Sequence, residues 1–242
     1  EPMSQVFDEV IELPKPEMQA KFNSLVGLDD VKNRLLKEGE LLLKPGSIDE
    51  WSKKHHGRLL SIIKRFHDRP PLIIFSGDVG TGKTTLADSF GDSIARTSKI
   101  TVRAMRLSLK ARGNGAVGEM TKLITQAFEE VETLIQQGSK DRNNPSSAVI
   151  LIIDEADALA QSRELNQMHH EDRAGVNALI RGIDHLTAKR LPVLIVMCTN
   201  RVEAIDPAVM RRASAQYVFK RPDANQRKKL LDFSLGDIFK ES

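Results

Sequence analysis

A glycine-rich loop between an apolar run and a helix-compatible stretch constrains this chain more than any other feature. The apolar run covers residues 72–75, the loop runs from Gly77 to Thr84 with the spacing Gly-x-x-x-x-Gly-Lys-Thr, and residues 85–97 are compatible with a helix. A strand, a glycine loop and a helix in this order make the phosphate cradle of nucleotide-binding proteins. The alternative is a glycine turn that precedes Lys-Thr by chance, which should arise in roughly one per cent of such chains or fewer.

Each residue type in this loop has a distinct use for a bound polyphosphate. Glycines let the backbone turn tightly and present its N–H groups, and the start of the helix adds the positive end of its dipole. We expect Lys83 to reach the β- and γ-phosphates and the Thr84 hydroxyl to complete the shell of a Mg²⁺ ion. The predicted nucleotide contacts in the loop are Gly77, Asp78, Val79, Gly80, Thr81, Gly82, Lys83, Thr84 and Thr85.

Two carboxylates follow a second apolar run. Residues 148–153 are all apolar, which is typical of a strand buried on both faces of a parallel sheet, and Asp154 and Glu155 come next. Open α/β sheets bind their ligands at the carboxyl ends of the strands. Asp154 is therefore predicted to hold the Mg²⁺ through a water, and Glu155 to orient and polarise the water that attacks the γ-phosphorus. The alternative is a strand that ends in a solvated turn.

Two further segments end in polar side chains that a nucleotide site could use. An apolar strand within residues 191–199 leads to Asn200, whose amide can bind the attacking water or the γ-phosphate, with a turn-forming Asn as the alternative. A short helix capped by Asp206 ends at Arg211 and Arg212. These arginines are either solvated cations that suit a helix end or guanidinium groups donated to the nucleotide of a neighbouring subunit.

The four motifs, in this order, resemble those of AAA+ ATPases, and the resemblance extends from about residue 22 to about residue 231. Residues 22–32, which include Val26 and Gly27, are similar to the segment that wraps the adenine in that family. The resemblance implies ATP and Mg²⁺ as ligands, and a homo-oligomer in the form of a hexameric ring. It also implies that Asn200 senses the γ-phosphate and that Arg211 and Arg212 are arginine fingers acting in trans.

Apolar strands that alternate with helical stretches predict an α/β fold, a three-layer α/β/α sandwich with right-handed crossovers. The AAA+ resemblance adds a parallel sheet of order 5-1-4-3-2, followed by a helical lid. We expect residues 1–21 to be an N-terminal arm or linker and residues 22–221 to be the large nucleotide-binding domain. Residues 222–242 are expected to be the start of a small helical lid domain that is truncated.

The amino-acid composition limits the cellular compartment and the kinds of partner that we expect for this chain. A chain of 242 residues with 40% hydrophobic residues can bury one substantial core. The single cysteine, Cys198, lies in an apolar strand, which suits a reducing, cytoplasmic environment, and neither a membrane span nor a signal peptide is recognisable. The net charge of +3 comes from scattered basic clusters and aromatics make up 5%, so we expect neither a membrane nor a nucleic acid as partner.

Three segments are most similar to the pachytene-checkpoint group of AAA+ remodellers, namely residues 119–128, 173–184 and 211–222. That group opens HORMA-domain proteins, and its bacterial members are associated with anti-phage signalling. The resemblance therefore implies a bacterial ATPase with a HORMA-domain protein as its partner.

One departure from this group concerns the loop that would contact a substrate in the central pore. Relatives that thread a polypeptide present an aromatic–apolar–Gly tip there, whereas this chain has Ala116, Val117 and Gly118. The contact is then expected to rest on Val117, or the segment is a surface loop without a role. The His-His-Glu-Asp stretch at residues 169–172 is expected to be a second pore-facing loop rather than a zinc site, because adjacent ligands cannot easily face one metal.

Two functions from different classes fit these observations. The first is an ATP-driven protein remodeller that works as a hexameric ring. The second is a nucleotide-gated loader or switch that acts on DNA or on another protein complex, in which ATP sets conformation and turnover is slow. An intact Glu155 together with Arg211 and Arg212 favours turnover over switching.

Overall fold

The strands of the computed structural model, which describes residues 6–109, 118–138, 144–161 and 169–235, form one sheet. In the described part of the chain this sheet has six strands in the order β1-β3-β4-β5-β2-β6. β1 pairs with β3 in antiparallel fashion, and every other pairing is parallel. The strands are β1 Glu9–Leu13, β2 Leu72–Gly77, β3 Thr101–Ser108, β4 Ser147–Asp154, β5 Val193–Thr199 and β6 Ala213–Phe219.

Helices cover both faces of the sheet, which gives three layers. Buried residues of α1, α2 and α5 pack on one face, and those of α6 and α8 pack on the other. The helices are α1 Pro16–Ser24, α2 Asp29–Leu43, α3 Gly46–His56, α4 Ser61–His67, α5 Lys83–Ser98, α6 Glu119–Gly138, α7 Ala158–Gln161, α8 His169–Lys189, α9 Pro207–Met210 and α10 Ala224–Leu235. The predicted three-layer sandwich is confirmed.

The continuous apolar run of β4 follows from its position inside the sheet. Val149, Leu151 and Ile153 belong to the core beneath α6 and α8, whereas Ile150 and Ile152 belong to the core beneath α5. Both faces of the strand are covered, so neither can carry polar side chains without a cost in desolvation.

Numbered from β2, the strand of the glycine loop, the five parallel strands follow the expected order 5-1-4-3-2. The sixth strand, β1, extends this sheet beyond β3 and was not part of the prediction. Its position at the edge is compatible with the antiparallel direction, because antiparallel edge strands are common on otherwise parallel sheets.

The expectation that residues 1–21 form an arm or linker is wrong for the described part of that segment. Within β1, Ile11 and Leu13 are buried while Val10 is exposed, an alternation that places one face of the strand on the core. α1 follows with Pro16 in its first turn and with Met18 and Phe22 buried. Pro14 and Pro16 therefore lie at the turn and at the helix start between two packed elements.

Residues 46–67 form two helices, α3 and α4, and the last described strand, β6, begins at Ala213. In the described part of the segment expected to begin the lid, residues 222–235, there is a single helix, α10. Within the described ranges, no helix combines the length and the apolar character that a membrane crossing requires.

Gly182 on α8 provides a test of the packing between α8 and α6. A Cβ atom at this position would lie 2.5 Å from Cγ of Phe128, a ring atom that cannot move without shifting the helix contact. We expect Gly182→Ala to lower the free energy of unfolding by about 1–3 kcal/mol, as overpacking does in well-packed cores.

Gly175→Ala on the same helix is the matched control. Its Cβ would lie 3.4 Å from Cδ2 of Leu159, an ordinary contact, so helix propensity should make this variant neutral or more stable by up to about 1 kcal/mol. Urea denaturation of both variants gives the comparison. Equal stabilities for the two would contradict the close packing of Gly182 on Phe128.

Candidate functional site

The carboxyl ends of β2, β4 and β5 meet at one edge of the sheet and open into a cleft of about 260 Å³. Its lining combines the predicted phosphate loop with the ends of the two apolar strands. The lining residues are Val79, Gly80, Gly82, Lys83, Thr84, Thr85, Asp154, Glu155, Cys198, Thr199 and Asn200. The convergence predicted from the three separate motifs is thus present in the fold.

Glycine is required at two positions of the loop for different reasons. Gly77 ends β2 with φ 146°, and a Cβ there would lie 2.1 Å from the carbonyl oxygen of Phe219 on the neighbouring strand β6. Gly82 precedes α5 with φ 92°, a left-handed conformation that side chains disfavour. Together they direct the chain from the sheet into a helix whose first N–H groups have no partner inside the helix and face the cleft.

Lys83 is buried at the floor of the loop, with 7% of its surface exposed. Its Nζ donates to the carbonyl oxygens of Gly77 and Asp78, both at 2.8 Å. Burial lowers the pKa of this ammonium group, and nearby acidic groups, Asp154 and Asp78 among them, oppose that shift. An ammonium has three donors, so the two loop carbonyls orient Lys83 and leave one donor for an anion in the cleft.

Thr84 and Asp154 form the candidate magnesium site. The Thr84 hydroxyl donates to Oδ2 of Asp154 at 3.0 Å, which brings two hard oxygen ligands together at the mouth of the loop. In the described part of the chain, no group of three or more His, Cys, Asp or Glu side chains could hold a metal alone. This donor set fits Mg²⁺, which usually takes only one or two protein ligands and completes its octahedron with waters and phosphate oxygens.

Glu155 is held in a backbone conformation that few residues adopt. Its φ of 52° is left-handed, and its N–H donates to Oδ1 of Asp154 at 2.9 Å. The carboxylate turns towards β3, where the Ser108 hydroxyl donates to Oε2 at 2.7 Å. Non-glycine residues with positive φ are uncommon and concentrate at functional sites. The strand end is therefore shaped to place this carboxylate rather than to make a simple solvated turn.

The end of β5 is braced by an acid that the sequence patterns did not single out. Asp157, which is largely buried, accepts a hydrogen bond from the Thr199 hydroxyl at 3.2 Å and a long one, 3.4 Å, from the Asn200 N–H. The Thr199 hydroxyl also accepts from the N–H of Arg201 at 3.0 Å. These contacts fix the backbone at Asn200 while its exposed side chain lines the cleft.

The predicted adenine segment lies beside the loop but does not line the cleft. Leu25 and Leu28 are the side chains that a Cβ at Gly82 would meet, at 3.1 Å and 3.7 Å. Val26 and Gly27 between them are half-buried, and Gln226 of α10 donates to the carbonyl oxygen of Gly27 at 3.3 Å. The first helix after the sheet is thus in contact with this segment.

Arg211 and Arg212 lie after α9, outside the cleft, and have different surroundings. Arg212 donates from Nε and Nη2 to the two carboxylate oxygens of Asp184 on α8, at 2.7 Å and 2.8 Å, and from Nη1 to the carbonyl oxygen of Ala208 at 2.8 Å. The hydrogen bond to Asp184 raises the pKa of this guanidinium. Arg211 is exposed. Two arginines that look equivalent in sequence are therefore one anchored and one solvent-facing side chain.

A half-buried acid, Asp88, lies behind the candidate magnesium site, one helical turn after Thr84. Burial raises the pKa of Asp88 to about 6, although Arg106 of β3 opposes the shift. Nη1 of Arg106 is 3.7 Å from Oδ2 of Asp88, and Arg106 also pairs with Glu9 of β1. This cluster connects the helix of the phosphate loop to the two strands at the far edge of the sheet.

Three residues with polar contacts to predicted site residues escaped the sequence analysis, namely Ser108, Asp157 and Asp184. Ser108 ends β3 in register with Asp154, so the rule that a polar residue at the carboxyl end of a strand faces the site could have found it. Asp157 and Asp184 carry no such signal, because their partners lie 42 and 28 residues away along the chain.

The two segments expected to be pore loops are residues 116–118 and 169–172. Ala116 and Val117 lie outside the described residues, and Gly118 has a φ of 83° with no described atom within 4 Å of a Cβ placed on it. Residues 169–172, expected as a polar loop, belong to the first turn of α8, so that expectation is wrong. A helical start is compatible with their composition because Glu and Asp are favoured in the first turn.

The chain was compared with known proteins on the basis of sequence and fold. Residues 73–221 match the family model described as the ATPase family associated with various cellular activities, AAA. The chain is 47% identical, over 98% of its length and 76% of the relative, to CD-NTase-associated protein 6 of Escherichia coli strain MS 115-1.

Two solved structures extend the comparison. The structure of the E. coli MS115-1 HORMA:CdnC:Trip13 complex contains a chain with 48% identity and a TM-score of 0.83, aligned over 95% of this chain and 74% of that one. A Rhizobiales Trip13 has 38% identity and a TM-score of 0.72 over 95% of this chain and 75% of its own. Caenorhabditis elegans PCH-2, with 22% identity and a TM-score of 0.67, shares the fold.

Proposed function

We propose that this chain, which belongs to the AAA family of ATPases, is an ATP-hydrolysing motor that remodels a folded protein partner. The observation that carries the proposal is the convergence of Lys83, the Thr84–Asp154 pair and Glu155 in a single cleft. A binding module would need the first three of these residues. A carboxylate held beside the phosphate site in a left-handed backbone conformation is useful for hydrolysis.

We assign the residues the following roles, which their positions in the cleft support. The loop N–H groups and Lys83 bind the β- and γ-phosphates of ATP, while Thr84 and Asp154 would hold Mg²⁺, which neutralises phosphate charge when it is bound. Glu155 orients a water in line with the γ-phosphorus and accepts its proton as the new P–O bond forms. The bond from the γ-phosphorus to the bridging oxygen breaks, and ADP leaves with that electron pair. Asn200, which lines the cleft at the end of β5, would hydrogen-bond the γ-phosphate or the water.

Lys83→Ala and Glu155→Gln should separate binding from hydrolysis. Lys83→Ala removes the charged contact to the phosphates and should abolish ATP binding, measured by calorimetry. Glu155→Gln keeps the shape of the site and should bind ATP normally while hydrolysing it at least about a hundredfold more slowly, the usual scale for a lost general base. Micromolar affinity in the first variant would refute the phosphate loop, and unchanged turnover in the second would make Glu155 a simple strand-end acid.

The small number of basic side chains in the cleft supports a ring, in which a neighbouring subunit would supply an arginine. Lys83 is the only basic side chain among the described residues that line it, and neither Arg211 nor Arg212 does so. We propose that Arg211 reaches the ATP of the adjacent subunit, as an arginine finger does, and that residues 222–242 begin a lid domain above the large domain. Arg212, held by Asp184 at both carboxylate oxygens, would fix α9 so that Arg211 points outward.

Arg211→Ala should lower turnover on the order of a thousandfold without changing the ATP affinity of an isolated subunit, because the finger acts on the neighbour's transition state. Mixing this variant with Lys83→Ala should restore part of the activity. At mixed interfaces an intact phosphate loop from one variant meets an intact Arg211 from the other.

Arg212→Ala is the informative comparison. It should lower turnover and also the free energy of unfolding, the latter by no more than about 1 kcal/mol, because the ion pair that it removes is half-exposed at Asp184. Absence of any recovery in mixtures shown by mass measurement to co-assemble would place Arg211 in cis, or make it only a helix-end cation.

The partner is proposed from the comparisons. The Trip13 chain that is 48% identical to this one is found in a complex with a HORMA protein and CdnC. We propose that this chain likewise opens a HORMA-domain protein, in the bacterial cytoplasm, through a pore in which Val117 contacts the substrate. No contact among the described residues specifically supports the alternative function, a nucleotide-gated loader or switch.

The substrate assay uses the full-length ATPase, ATP and a closed HORMA protein from the same genome. We expect conversion to the open form by the wild type, and stable trapping of the partner by Glu155→Gln. Val117→Asp should hydrolyse ATP but leave the partner closed, because the phosphate site is untouched. A HORMA protein that stays closed during vigorous ATP hydrolysis would overturn this substrate class, whereas full remodelling by Val117→Asp would remove the pore-loop role alone.

A further inference from the structure

We propose that Asp8, in the segment that leads into the edge strand β1, is a positioning residue for the catalytic base. It holds the end of β3, and the Ser108 hydroxyl at that end holds the Glu155 carboxylate. The inference rests on the proposed function, because it takes Glu155 to be the group that orients the water. It gives the N-terminal edge of the sheet a part in hydrolysis.

The inner contact of this relay is the hydrogen bond from Ser108 to Glu155. Ser108 is the last residue of β3 and lies in register with Asp154, so its side chain reaches the neighbouring strand end. At 2.7 Å, the bond from its hydroxyl to Oε2 is a charge-assisted contact of normal length. It leaves the other carboxylate oxygen of Glu155 for a water.

The outer contact ties the same residue to the N-terminal segment. Oδ2 of Asp8 accepts a hydrogen bond from the Ser108 N–H at 2.6 Å, and the N–H of Asp8 donates to the carbonyl oxygen of Arg106 at 2.9 Å. The ladder of β1 and β3 begins immediately afterwards with Glu9 opposite Arg106. Asp8 therefore continues the β1–β3 pairing by one side-chain bond, to the residue that contacts Glu155.

A second set of contacts, made by charged side chains, connects the same strand to α5, the helix of the phosphate loop. Glu9 pairs with Arg106, whose Nη1 is 3.7 Å from Oδ2 of Asp88 on α5. Displacement of the start of β1 would thus disturb β3 and α5 together. Asp8 acts on Glu155 through Ser108, whereas Glu9 acts on the phosphate-loop helix through Arg106. Mutations of the two acids should therefore have separable effects.

The exposure of Asp8 indicates that it orients Ser108 rather than contributing to the packing of the core. Its side chain is exposed, whereas the next residue towards the N-terminus, Phe7, is buried with 5% of its surface accessible. Loss of an exposed carboxylate should leave the packing of β1 intact. What it removes is the restraint on the Ser108 backbone, and a hydroxyl that is misplaced by a fraction of an ångström no longer fixes the base.

Glu12→Ala is a matched control for Asp8→Ala. Glu12 is an exposed acid on the same edge strand, and it also contacts β3, with Oε2 3.6 Å from Nε of Arg103. That contact lies four residues from Asp8 and has no link to Glu155 among the described side chains. Any effect shared by the two variants would reflect edge-strand charge alone.

Steady-state ATPase kinetics and thermal melting of the full-length protein test the relay. Asp8→Ala should lower kcat about fivefold with the KM for ATP within about twofold of wild type and a Tm equal to that of Glu12→Ala. Asp8→Asn, whose amide oxygen can still accept the Ser108 N–H, should retain most of the activity. Ser108→Ala should lower kcat at least as much as Asp8→Ala does.

The double variant Asp8→Ala/Ser108→Ala decides whether the two residues form one relay. If Asp8 acts only through the Ser108 hydroxyl, the double variant should be no slower than Ser108→Ala alone. Additive losses, an unchanged kcat in Asp8→Ala, or a loss shared with Glu12→Ala would overturn the inference while leaving the proposed function intact. A wild type that turns over no faster than Glu155→Gln would overturn both.

Discussion

The hydrogen-bonded register that joins β2 to β5 and β5 to β4 sets the geometry of everything at the cleft. Because these strands are parallel, their carboxyl ends lie side by side, and the loop after β2 faces Asp154 and Asn200 without any long-range adjustment. A one-residue slip of β4 would turn Asp154 to the other face of the sheet. Such a slip would also exchange the side chains that β4 sends into the two cores, and the misfit in volume on both faces opposes it. The geometry of the cleft therefore follows from the packing of the core.

Around this frame, polar contacts refine the position of single groups. Lys83 is oriented by two loop carbonyls, Glu155 by Ser108, and the backbone at Asn200 by Asp157. Each contact joins a residue at the end of one element to a residue of another. Groups that must not move relative to a phosphate are thereby held by neighbours rather than by their own rotamer preferences, which is how preorganised sites avoid reorganisation during reaction.

The edge of the sheet has a comparable role at a greater distance. β1 pairs with β3, and two acidic residues at its start are linked to the cleft. Asp8 contacts Ser108, which contacts Glu155, and Glu9 contacts Arg106, which lies beside Asp88 of the phosphate-loop helix. Arg212 and Asp184 make a similar connection between α9 and α8, next to the exposed Arg211. In both places a charged side chain contacts a residue next to, or bonded to, the group proposed to act on ATP, which is Glu155 in the first case and Arg211 in the second. This arrangement would let events at the periphery of a subunit influence hydrolysis.

Sequence alone determined the parts of this protein whose chemistry is local. The glycine loop with Lys83 and Thr84, the Asp154–Glu155 strand end and the alternation of strands and helices are short-range patterns, and each was recognisable because neighbouring residues share one element. Only the tertiary structure decided that residues 9–13 form an edge strand and that Arg211 and Arg212 differ. It alone placed Ser108 between Asp8 and Glu155. Such contacts join residues up to 100 positions apart, and sheet register and helix packing select them, so no local pattern encodes them.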